Sequence, residues 1–387
     1  MPNTRLPIYL DYAATTPVHP QVLNAMLPYF SQSFGNSSSI HLYGQQAEGA
    51  LESARETLAS WLNCLPEEVL FTSCGTESDN LALRGAALAA RQRKGANHLL
   101  ISPVEHHAVS KTAQQLADLH GFDLEFLPVD PAGMVQPEWV ATRIRTDTAL
   151  VSVIYANNEI GTINPIKEIG RICREQGVLF HTDAVQAAGY LTVDTKQLNV
   201  DLLALGAHKF YGPKGVGGLY IRKGTPILPV QTGGSQERGL RAGTHNTPYI
   251  VGMAEALTLA QSNREKHSAQ LSHMRDYLIG HVLEEIPDVQ LTGHASQRLP
   301  NHASFVFRDV DGNALLMLLD VEGFACSSGS ACKTGNPEPS EVLSAIGLSH
   351  DWALGSLRVT LGSGTTSEEL QEFARFLPSA VQRIRRL

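Results

Sequence analysis

Residues 201–221 read DLLALGAHKFYGPKGVGGLYI and contain two apolar runs separated by a polar turn. Short, nearly continuous apolar runs are typical of strands that are buried on both faces. The sequence therefore predicts strands at 202–205 and 218–221. It also predicts that His208 and Lys209 lie just beyond the end of the first of these strands.

Similar runs occur upstream, with helical patterns between them. We expect buried strands at 98–102, 149–155 and 178–182, and helices at 110–120 and 165–176. Alternation of strand and helix predicts the α/β class, with a mostly parallel sheet that is flanked by helices on both faces. Ligands of such open sheets bind at the carboxyl ends of the strands.

The pattern changes after residue 252. A long or broken helix is predicted over 252–283, and strands at 302–307 and 356–361 follow it, separated by helical segments. This pattern indicates a smaller α+β domain at the C-terminal end, and 387 residues are enough for two domains. The predicted division is an N-terminal arm (1–15) packing with the small domain, a large domain (16–255) and a small domain (256–387).

The composition is that of a globular protein, with 43% hydrophobic and 18% charged residues. The formal net charge is −8, from 30 Lys and Arg against 38 Asp and Glu, which disfavours nucleic acid or an anionic membrane as the main partner. No apolar run reaches spanning length, and we expect no signal peptide. The cysteines are odd in number and lack zinc-type spacing, which predicts a reducing, cytoplasmic setting. They are Cys64, Cys74, Cys173, Cys326 and Cys332.

Two polar residues at predicted strand ends suggest cofactor chemistry. A lysine at the edge of the core loses its proton more readily, which suits Schiff-base formation by Lys209. An Asp at the end of a buried strand needs a partner, and for Asp183 a protonated pyridine nitrogen would be one. The alternatives are a surface turn for Lys209 and a structural, backbone-bonded role for Asp183. Their shared position at strand ends favours function.

Two further stretches carry candidate chemistry. CGTES at 74–78 lies between a predicted strand and a helix, where backbone N–H groups can bind a phosphate, although an ordinary helix cap would look the same. Cys332 leads into a loop rich in Gly, Pro and Asn, and with Lys333 beside it we expect an accessible, nucleophilic thiol. Cys326 lies among apolar neighbours and is expected to be a small core residue.

Asp183, Gln186 and the pair His208-Lys209, in this order, closely resemble the fold-type I pyridoxal-phosphate (PLP) enzymes of the class V aminotransferase group. Within that group the whole chain is similar to the cysteine desulfurases of the housekeeping and nitrogen-fixation type. The resemblance runs from residue 9 to about residue 361. It includes YLDYAATT (9–16), FGN (34–36), TESDN (76–80), EH (105–106), NNEIG (157–161), ERG (237–239) and SGSAC (328–332).

The resemblance implies a role for each matching residue. Lys209 would hold PLP as a Schiff base and move protons, His106 would stack on the ring as an acid or base, and Cys332 would be the catalytic cysteine. Asp183 would pair with the ring nitrogen. The other implied contacts are Asn158 and Gln186 at the ring hydroxyl, Gly75, Thr76, Gly206 and His208 near the phosphate, Thr244 at the phosphate from a second subunit, and Asn36 with Arg358 at the substrate carboxylate.

The implied reaction is the PLP-dependent removal of sulfur from L-cysteine, which yields L-alanine and a persulfide on Cys332. The sulfur would supply iron–sulfur clusters or other thio-cofactors through an acceptor such as a scaffold protein. The contact from Thr244 implies a homodimer. No metal site is expected, apart from Cys332 as a transient ligand of an iron–sulfur cluster.

Three departures from the family pattern stand out. Gly206 replaces a frequent Ser near the phosphate, and Ser37 follows Asn36 in place of the usual Pro. The chain ends at Leu387, without the longer tail that helps some housekeeping relatives to engage the scaffold.

Two other functions remain open from the sequence. One is a different PLP enzyme on this fold, an aminotransferase that would not need Cys332 or a selenocysteine lyase that would share the chemistry. The other is a non-catalytic sulfur-relay or scaffold protein. The presence of Lys209, Asp183, His106 and Cys332 together disfavours the second.

Overall fold

The structure, a computed structural model, describes residues 6–328 and 339–386. The strands are β1 (Ile8–Tyr9), β2 (Val69–Thr72), β3 (His98–Ile101), β4 (Asp123–Phe126), β5 (Thr148–Ser152), β6 (Leu179–Asp183), β7 (Leu202–Gly206), β8 (Gly217–Ile221), β9 (Val289–Leu291), β10 (His302–Phe307), β11 (Phe324–Ala325) and β12 (Ser356–Thr360). The helices are α1 (Pro20–Met26), α2 (Pro28–Ser31), α3 (Leu42–Leu62), α4 (Gly75–Lys94), α5 (His107–His120), α6 (Pro137–Arg143), α7 (Ile166–Glu175), α8 (Thr195–Leu198), α9 (Thr247–Ser262), α10 (Arg264–Glu285), α11 (Gly312–Val321), α12 (Glu341–Ala345), α13 (His350–Ala353) and α14 (Ser367–Ile384).

The large sheet confirms the predicted α/β class. Its strand order is β2-β8-β7-β6-β5-β3-β4, and the strands from β7 to β4 are parallel. β8 runs antiparallel to both β7 and β2. The segment 207–216 that joins β7 to β8 is too short for a crossover helix, which a parallel connection of about a dozen residues or more would need, so β8 turns back.

Apolar side chains cover the large sheet on both faces. α4 packs on one face through small residues such as Ala82, Ala86 and Ala90, which let the helix approach the strands closely. Asp79 lies on the same buried face of α4 and is 1% exposed. A carboxyl group on an otherwise apolar helix face needs a specific reason.

The C-terminal part forms the smaller α+β unit that the sequence predicted. Its sheet is antiparallel, in the order β12-β10-β9. The N-terminal arm reaches this unit, because β1 pairs in parallel with β11 and Leu10 N–H donates to the Ala325 carbonyl at 2.9 Å.

The predicted long helix over 252–283 is two helices, α9 and α10, which meet at Asn263. α9 packs on α1 and α3 of the large unit, whereas α10 packs on α14 and on the small sheet. We therefore propose the domain boundary at Asn263, later than the sequence-based boundary after residue 255.

In the described part of the chain, the helices are all too short or too polar to cross a membrane.

Candidate active site

A cavity of about 320 Å³ opens at the carboxyl ends of the parallel strands. Most of the residues that the sequence predicted as functional line it. These are Gly75, Thr76, His106, Asn158, Asp183, Gln186, His208, Lys209 and Arg358. They come from the ends of several strands and from β12 of the small sheet, so the fold brings together residues that are far apart in sequence.

Lys209 follows β7 in a single helical turn, and its side chain is half-buried. Nζ donates hydrogen bonds to the carbonyls of Ala13 at 2.6 Å and Ala14 at 2.7 Å. Burial, together with the charge of Arg358, lowers the pKa of Lys209 to about 8. Near neutral pH, a minor fraction of the molecules therefore carries Lys209 as a neutral amine, far larger than for a lysine in water. The neutral amine is the form that attacks an aldehyde.

Asp183 is the last residue of β6 and is 4% exposed. Its Oδ1 accepts from Val185 N–H at 2.8 Å, and in the described residues its other oxygen has no donor. Burial raises the pKa of Asp183, while His106, the Val185 N–H and Lys209 lower it. A cationic group entering the cavity would be a further partner for this carboxylate.

His106 caps α5 and faces the cavity. Its Nδ1 accepts from Ala108 N–H at 3.0 Å, so the neutral ring carries its proton on Nε2. Removal from water lowers the pKa of His106, Lys209 lowers it further, and Asp183 acts in the opposite direction. Because Nδ1 is already occupied by the Ala108 N–H, the neutral ring offers Nε2–H as a hydrogen-bond donor, and it accepts a proton only when Nδ1 gives up that bond.

The first turn of α4 provides an anion site. The residue at the N-cap, Cys74, makes no side-chain cap, so N–H groups of the first turn remain available. A Cβ at Gly75 would lie 2.7 Å from Val185 Cγ2, which explains why a glycine stands there. Glu77 in the same turn pairs with Arg241 at 2.8 Å, so its charge is neutralised.

His208 and Gln186 lie at opposite borders of the cavity and contact the N-terminal arm. Gln186 Nε2 donates to the Ala13 carbonyl at 2.8 Å, and His208 Nδ1 lies 3.2 Å from Thr15 Oγ1. Burial lowers the pKa of His208 to about 4, so the ring is neutral. The arm therefore forms one wall of the cavity.

Arg358 enters the cavity from β12 and is 7% exposed. Its guanidinium donates to Asp11 Oδ1 at 2.9 Å and to the Asn158 carbonyl at 3.0 Å. Asp11 also accepts from Ser327 Oγ at 2.7 Å. Because a guanidinium has five N–H donors, Arg358 can still bind a substrate carboxylate.

Two predicted residues are not brought into this cavity. Asn36 and Thr244 are both exposed, and neither lines it. Their neighbours are linked, since Ser37 Oγ lies 3.1 Å from His245 Nδ1. Asn36 thus lies outside the residues that line this cavity, and its contact with the substrate stays a prediction.

Gly206 is the last residue of β7 and is not among the residues that line the cavity. A Cβ there would lie 3.2 Å from Val185 Cγ1, so the space of the usual Ser is partly taken by Val185. Cys332 and the rest of the loop at 329–338 lie outside the described residues. Cys326 is half-buried against the core, and burial raises the pKa of its thiol, in agreement with the expected core role.

Sequence reasoning assigned no role to four residues that the structure places at the site. Asp11 holds Arg358, Asp79 lines the cavity beside Asp183, and Glu105 and His181 are buried next to these two carboxyls. The sequence signal was a charged residue on an apolar helix face for Asp79. For Asp11 it was an unassigned carboxylate in a family motif.

The sequence profile of the family described as aminotransferase class-V matches residues 8–373. The chain belongs to this family. A cysteine desulfurase IscS from Dictyoglomus turgidum is 48% identical over 378 residues, covering 98% of this chain and 95% of that protein. Another from Methanosarcina thermophila is 47% identical over 380 residues, covering 98% and 93%.

Solved structures superpose on most of the chain. A NifS-like protein has a TM-score of 0.90 and 36% identity, covering 98% of this chain and 100% of that chain. SspA in complex with cysteine has a TM-score of 0.79 and 35% identity, covering 92% and 98%.

PLP is the cofactor of this class V family, and the residues present fit it. Lys209 offers an amine of lowered pKa, and Asp183 offers a buried oxygen without a donor in the described residues. The uncapped first turn of α4, with Gly75 and Thr76, suits a phosphate. Amine, carboxylate and anion site border one cavity, which is the donor set that PLP requires.

Proposed function

We propose that this chain is a PLP-dependent cysteine desulfurase that moves the sulfur of L-cysteine to Cys332 and releases L-alanine. The observation that supports this most is the meeting of Lys209, Asp183 and Arg358 at one cavity. The high identity to cysteine desulfurases over nearly the whole chain supports the choice of substrate.

The residues of the chain would divide the work as follows. Bound PLP supplies an electron sink for the bonds that break at the substrate. Lys209 would hold the cofactor and move a proton at the substrate Cα, Asp183 would keep the ring nitrogen protonated, and Arg358 would orient the substrate carboxylate. His106, neutral and lining the cavity, would stack on the cofactor ring and offer its Nε2–H as a hydrogen-bond donor or acid.

Sulfur transfer to Cys332 balances without an outside oxidant. The Cys332 thiolate would attack the substrate sulfur, an S–S bond would form, and the C–S bond would break with its electron pair going to carbon. A proton would then replace sulfur on that carbon, which gives L-alanine. The persulfide would pass to an acceptor, for which an iron–sulfur scaffold or another thio-cofactor pathway is the expected class.

We further propose that the protein is a homodimer in which Thr244 and Asn36 serve the cavity of the partner subunit. Both are exposed and lie on adjoining segments outside their own cavity. Close to them, an apolar surface is open to water, and such surfaces commonly mark protein interfaces. It consists of Leu23, Leu27, Phe30, Phe34, Ile40, Leu42 and Tyr43, each about half exposed or more.

A cytoplasmic location is proposed from the sequence argument alone. The composition and the odd set of cysteines favour a reducing compartment.

The function is tested by incubating the PLP-loaded protein with L-cysteine and a thiol reductant. We expect alanine and sulfide to form in equal amounts when no keto acid is added to the reaction. The Cys332→Ala variant should bind PLP with an unchanged absorbance spectrum and release no sulfide. Keto-acid-dependent amine transfer, or full sulfide release by Cys332→Ala, would contradict the proposal.

A further inference from the structure

A group of buried ionisable residues lies beside Asp183 and is not used by the proposed mechanism, and one of them, Asp79, lines the same cavity. Asp79, from α4, is 1% exposed, and one of its oxygens lies within 4.8 Å of an Asp183 oxygen and of a His106 ring nitrogen. In the described residues, Asp79 Oδ1 has no hydrogen-bond partner. A buried carboxylate without a partner is strongly disfavoured, whereas a neutral carboxylic acid is not.

Two buried carboxyls at this separation do not both ionise readily, and their surroundings decide which one keeps a proton. Asp183 receives the Val185 N–H and lies near Lys209 and His106, which favour its charged form. Asp79 shares the neighbouring His106, but among the described residues no backbone N–H donates to its Oδ1. Burial raises the pKa of Asp79 well above its ordinary value, and the charge of Asp183 raises it further.

His181 provides the acceptor for this proton. It is fully buried on β6, and its Nε2 faces Asp79 Oδ1 at 3.3 Å. Burial lowers the pKa of His181 to about 3, so the ring is neutral. On the other side, His181 Nδ1 lies 2.9 Å from Ser152 Oγ. With the ring proton on Nδ1 donated to Ser152, Nε2 is free to accept from a protonated Asp79.

We propose that Asp79 is a positioning residue that holds the buried proton as a neutral acid directed at His181, so that Asp183 remains the single anion beneath the cofactor ring. This inference deepens the proposed function and depends on it only for the identity of the ring. Were Asp79 ionised, a second negative charge would be placed beside Asp183 in a buried setting. Were Asp183 protonated, it could no longer pair with a cationic nitrogen.

The groups around Asp79 support one proton on it and none on Asp183. From β6 it faces Asp183 and the neutral His181, and from the turn before α5 it faces Glu105 and His106. Cys74, just before the first residue of the same helix, is a further neighbour. Each of these neighbours is either neutral or negative, apart from whatever fraction of His106 is protonated.

Infrared difference spectra between wild type and each full-length variant test where the proton lies. They are recorded both with and without PLP. A protonated carboxylic acid has a carbonyl stretch that is separate from carboxylate bands. We expect Asp79→Asn to remove one such band near neutral pH and Asp183→Asn to remove none. Glu105→Gln is the control, since burial raises the pKa of Glu105 as well, and it should remove a different band. Loss of the band in Asp183→Asn but not in Asp79→Asn would overturn the proposal.

A second measurement follows the unfolding midpoint of wild type and Asp79→Asn against pH. An acidic group whose pKa is higher in the folded than in the unfolded chain makes the protein less stable as the pH rises above the unfolded pKa, here about 4. The midpoint of Asp79→Asn, relative to wild type, should therefore rise as the pH increases above about 4. Glu237→Gln is the matched control of opposite sign, because hydrogen bonds lower the pKa of Glu237. A relative midpoint of Asp79→Asn that falls over the same range would contradict a neutral Asp79.

These outcomes separate the inference from the proposed function. If wild type takes up no PLP, the function fails, while the infrared assignment of Asp79 in the chain without PLP still stands or falls by itself. If wild type binds PLP and Asp79→Asn keeps the acid band, this inference alone fails.

Discussion

Lys209 is a lysine whose ammonium form is disfavoured by its surroundings. Its pKa of about 8 results from burial and Arg358, against the opposing charges of Asp183 and Asp11. A lysine in water titrates near 10.4, so Lys209 has a far larger neutral fraction at pH 7 to 8.

This difference can be measured by acetylating the PLP-free chain at a series of pH values and quantifying the Lys209 peptide by mass spectrometry. Only the neutral amine reacts. The rate at Lys209 should rise about tenfold per pH unit and level off near pH 8, whereas a free lysine analogue should keep rising to about 10.4. A profile that matches the free analogue would contradict the lowered pKa.

Substitution of Arg358 should weaken the binding of L-cysteine and leave the binding of PLP unchanged. Arg358→Lys replaces a planar fork by a point charge, so KM for L-cysteine should increase about 10- to 100-fold with PLP affinity retained. Steady-state kinetics and PLP titration measure the two effects. An unchanged KM would show that Arg358 does not hold the substrate.

Lys209 and Asp183 could be predicted because each stands at or just after the end of an apolar run, whereas His106 was indicated only by the family resemblance. Asp11 and Asp79 could not be given roles in the same way. Asp11 meets Arg358 across 347 positions, and the partners of Asp79 come from β6 and from the turn before α5. Such contacts are set by the tertiary fold, so the local pattern can mark Asp79 as unusual on an apolar helix face but cannot name its partners.

Among the elements, the edge strand β2 is protected by side chains. The Glu237 carboxylate accepts from Phe71 N–H at 3.1 Å, and Arg55 donates to the Val69 carbonyl at 2.8 Å. Arg55 and Glu237 also pair through two hydrogen bonds of 2.9 and 3.0 Å, with side chains 5% and 0% exposed. Burial raises the pKa of Glu237, but His245 and Arg55 lower it to about 2.

Glu237→Gln should therefore lower the free energy of unfolding by about 3–5 kcal/mol, because it leaves Arg55 charged and buried. Urea unfolding measures this. The matched control is Glu52→Gln, which removes the other, half-exposed partner of Arg55 and should lower it by only about 0–1 kcal/mol.

The loss in Glu237→Gln has a defined pH dependence. A carboxyl whose folded pKa is lowered contributes fully above its unfolded pKa of about 4.3, and the contribution disappears as the pH falls toward 2. The gap between wild type and variant should therefore be constant above about pH 5 and close below it. A gap that widens in acid would contradict the ionised pair.

Most strands and helices could be predicted from the sequence, since buried parallel strands appear as continuous apolar runs and helices appear between them. The reversed direction of β8 was not predicted. An apolar run has no polarity along the chain, and only the short connection from β7 indicates the turn back.

For the whole molecule, the apolar surface defined by Leu23, Leu27, Phe30, Phe34, Ile40, Leu42 and Tyr43 predicts assembly. Ile40 is 93% exposed, so Ile40→Glu should leave the subunit folded and weaken the dimer. Light scattering after gel filtration should show monomers, and PLP affinity should fall with the loss of Thr244 from the partner. Leu119→Glu, 69% exposed on α5, is the control and should remain dimeric. If Ile40→Glu remained dimeric, this surface would not be the dimer interface.

The class of the molecule and its cofactor site could be predicted from ordered motifs, because the strand ends of a parallel sheet must meet at one edge. The position of Asn36 outside the cavity could not, since the FGN motif does not show where the tertiary fold places its segment.

In the proposed reaction, Lys209 and Cys332 act on the same molecule of L-cysteine. Mass spectrometry of the PLP-loaded protein after brief treatment with L-cysteine tests it most directly. We expect one added sulfur atom on the peptide containing Cys332, absent in Lys209→Ala, with alanine formed in equal amount. Cysteine consumed without sulfur on Cys332, or sulfur added equally in Lys209→Ala, would contradict it.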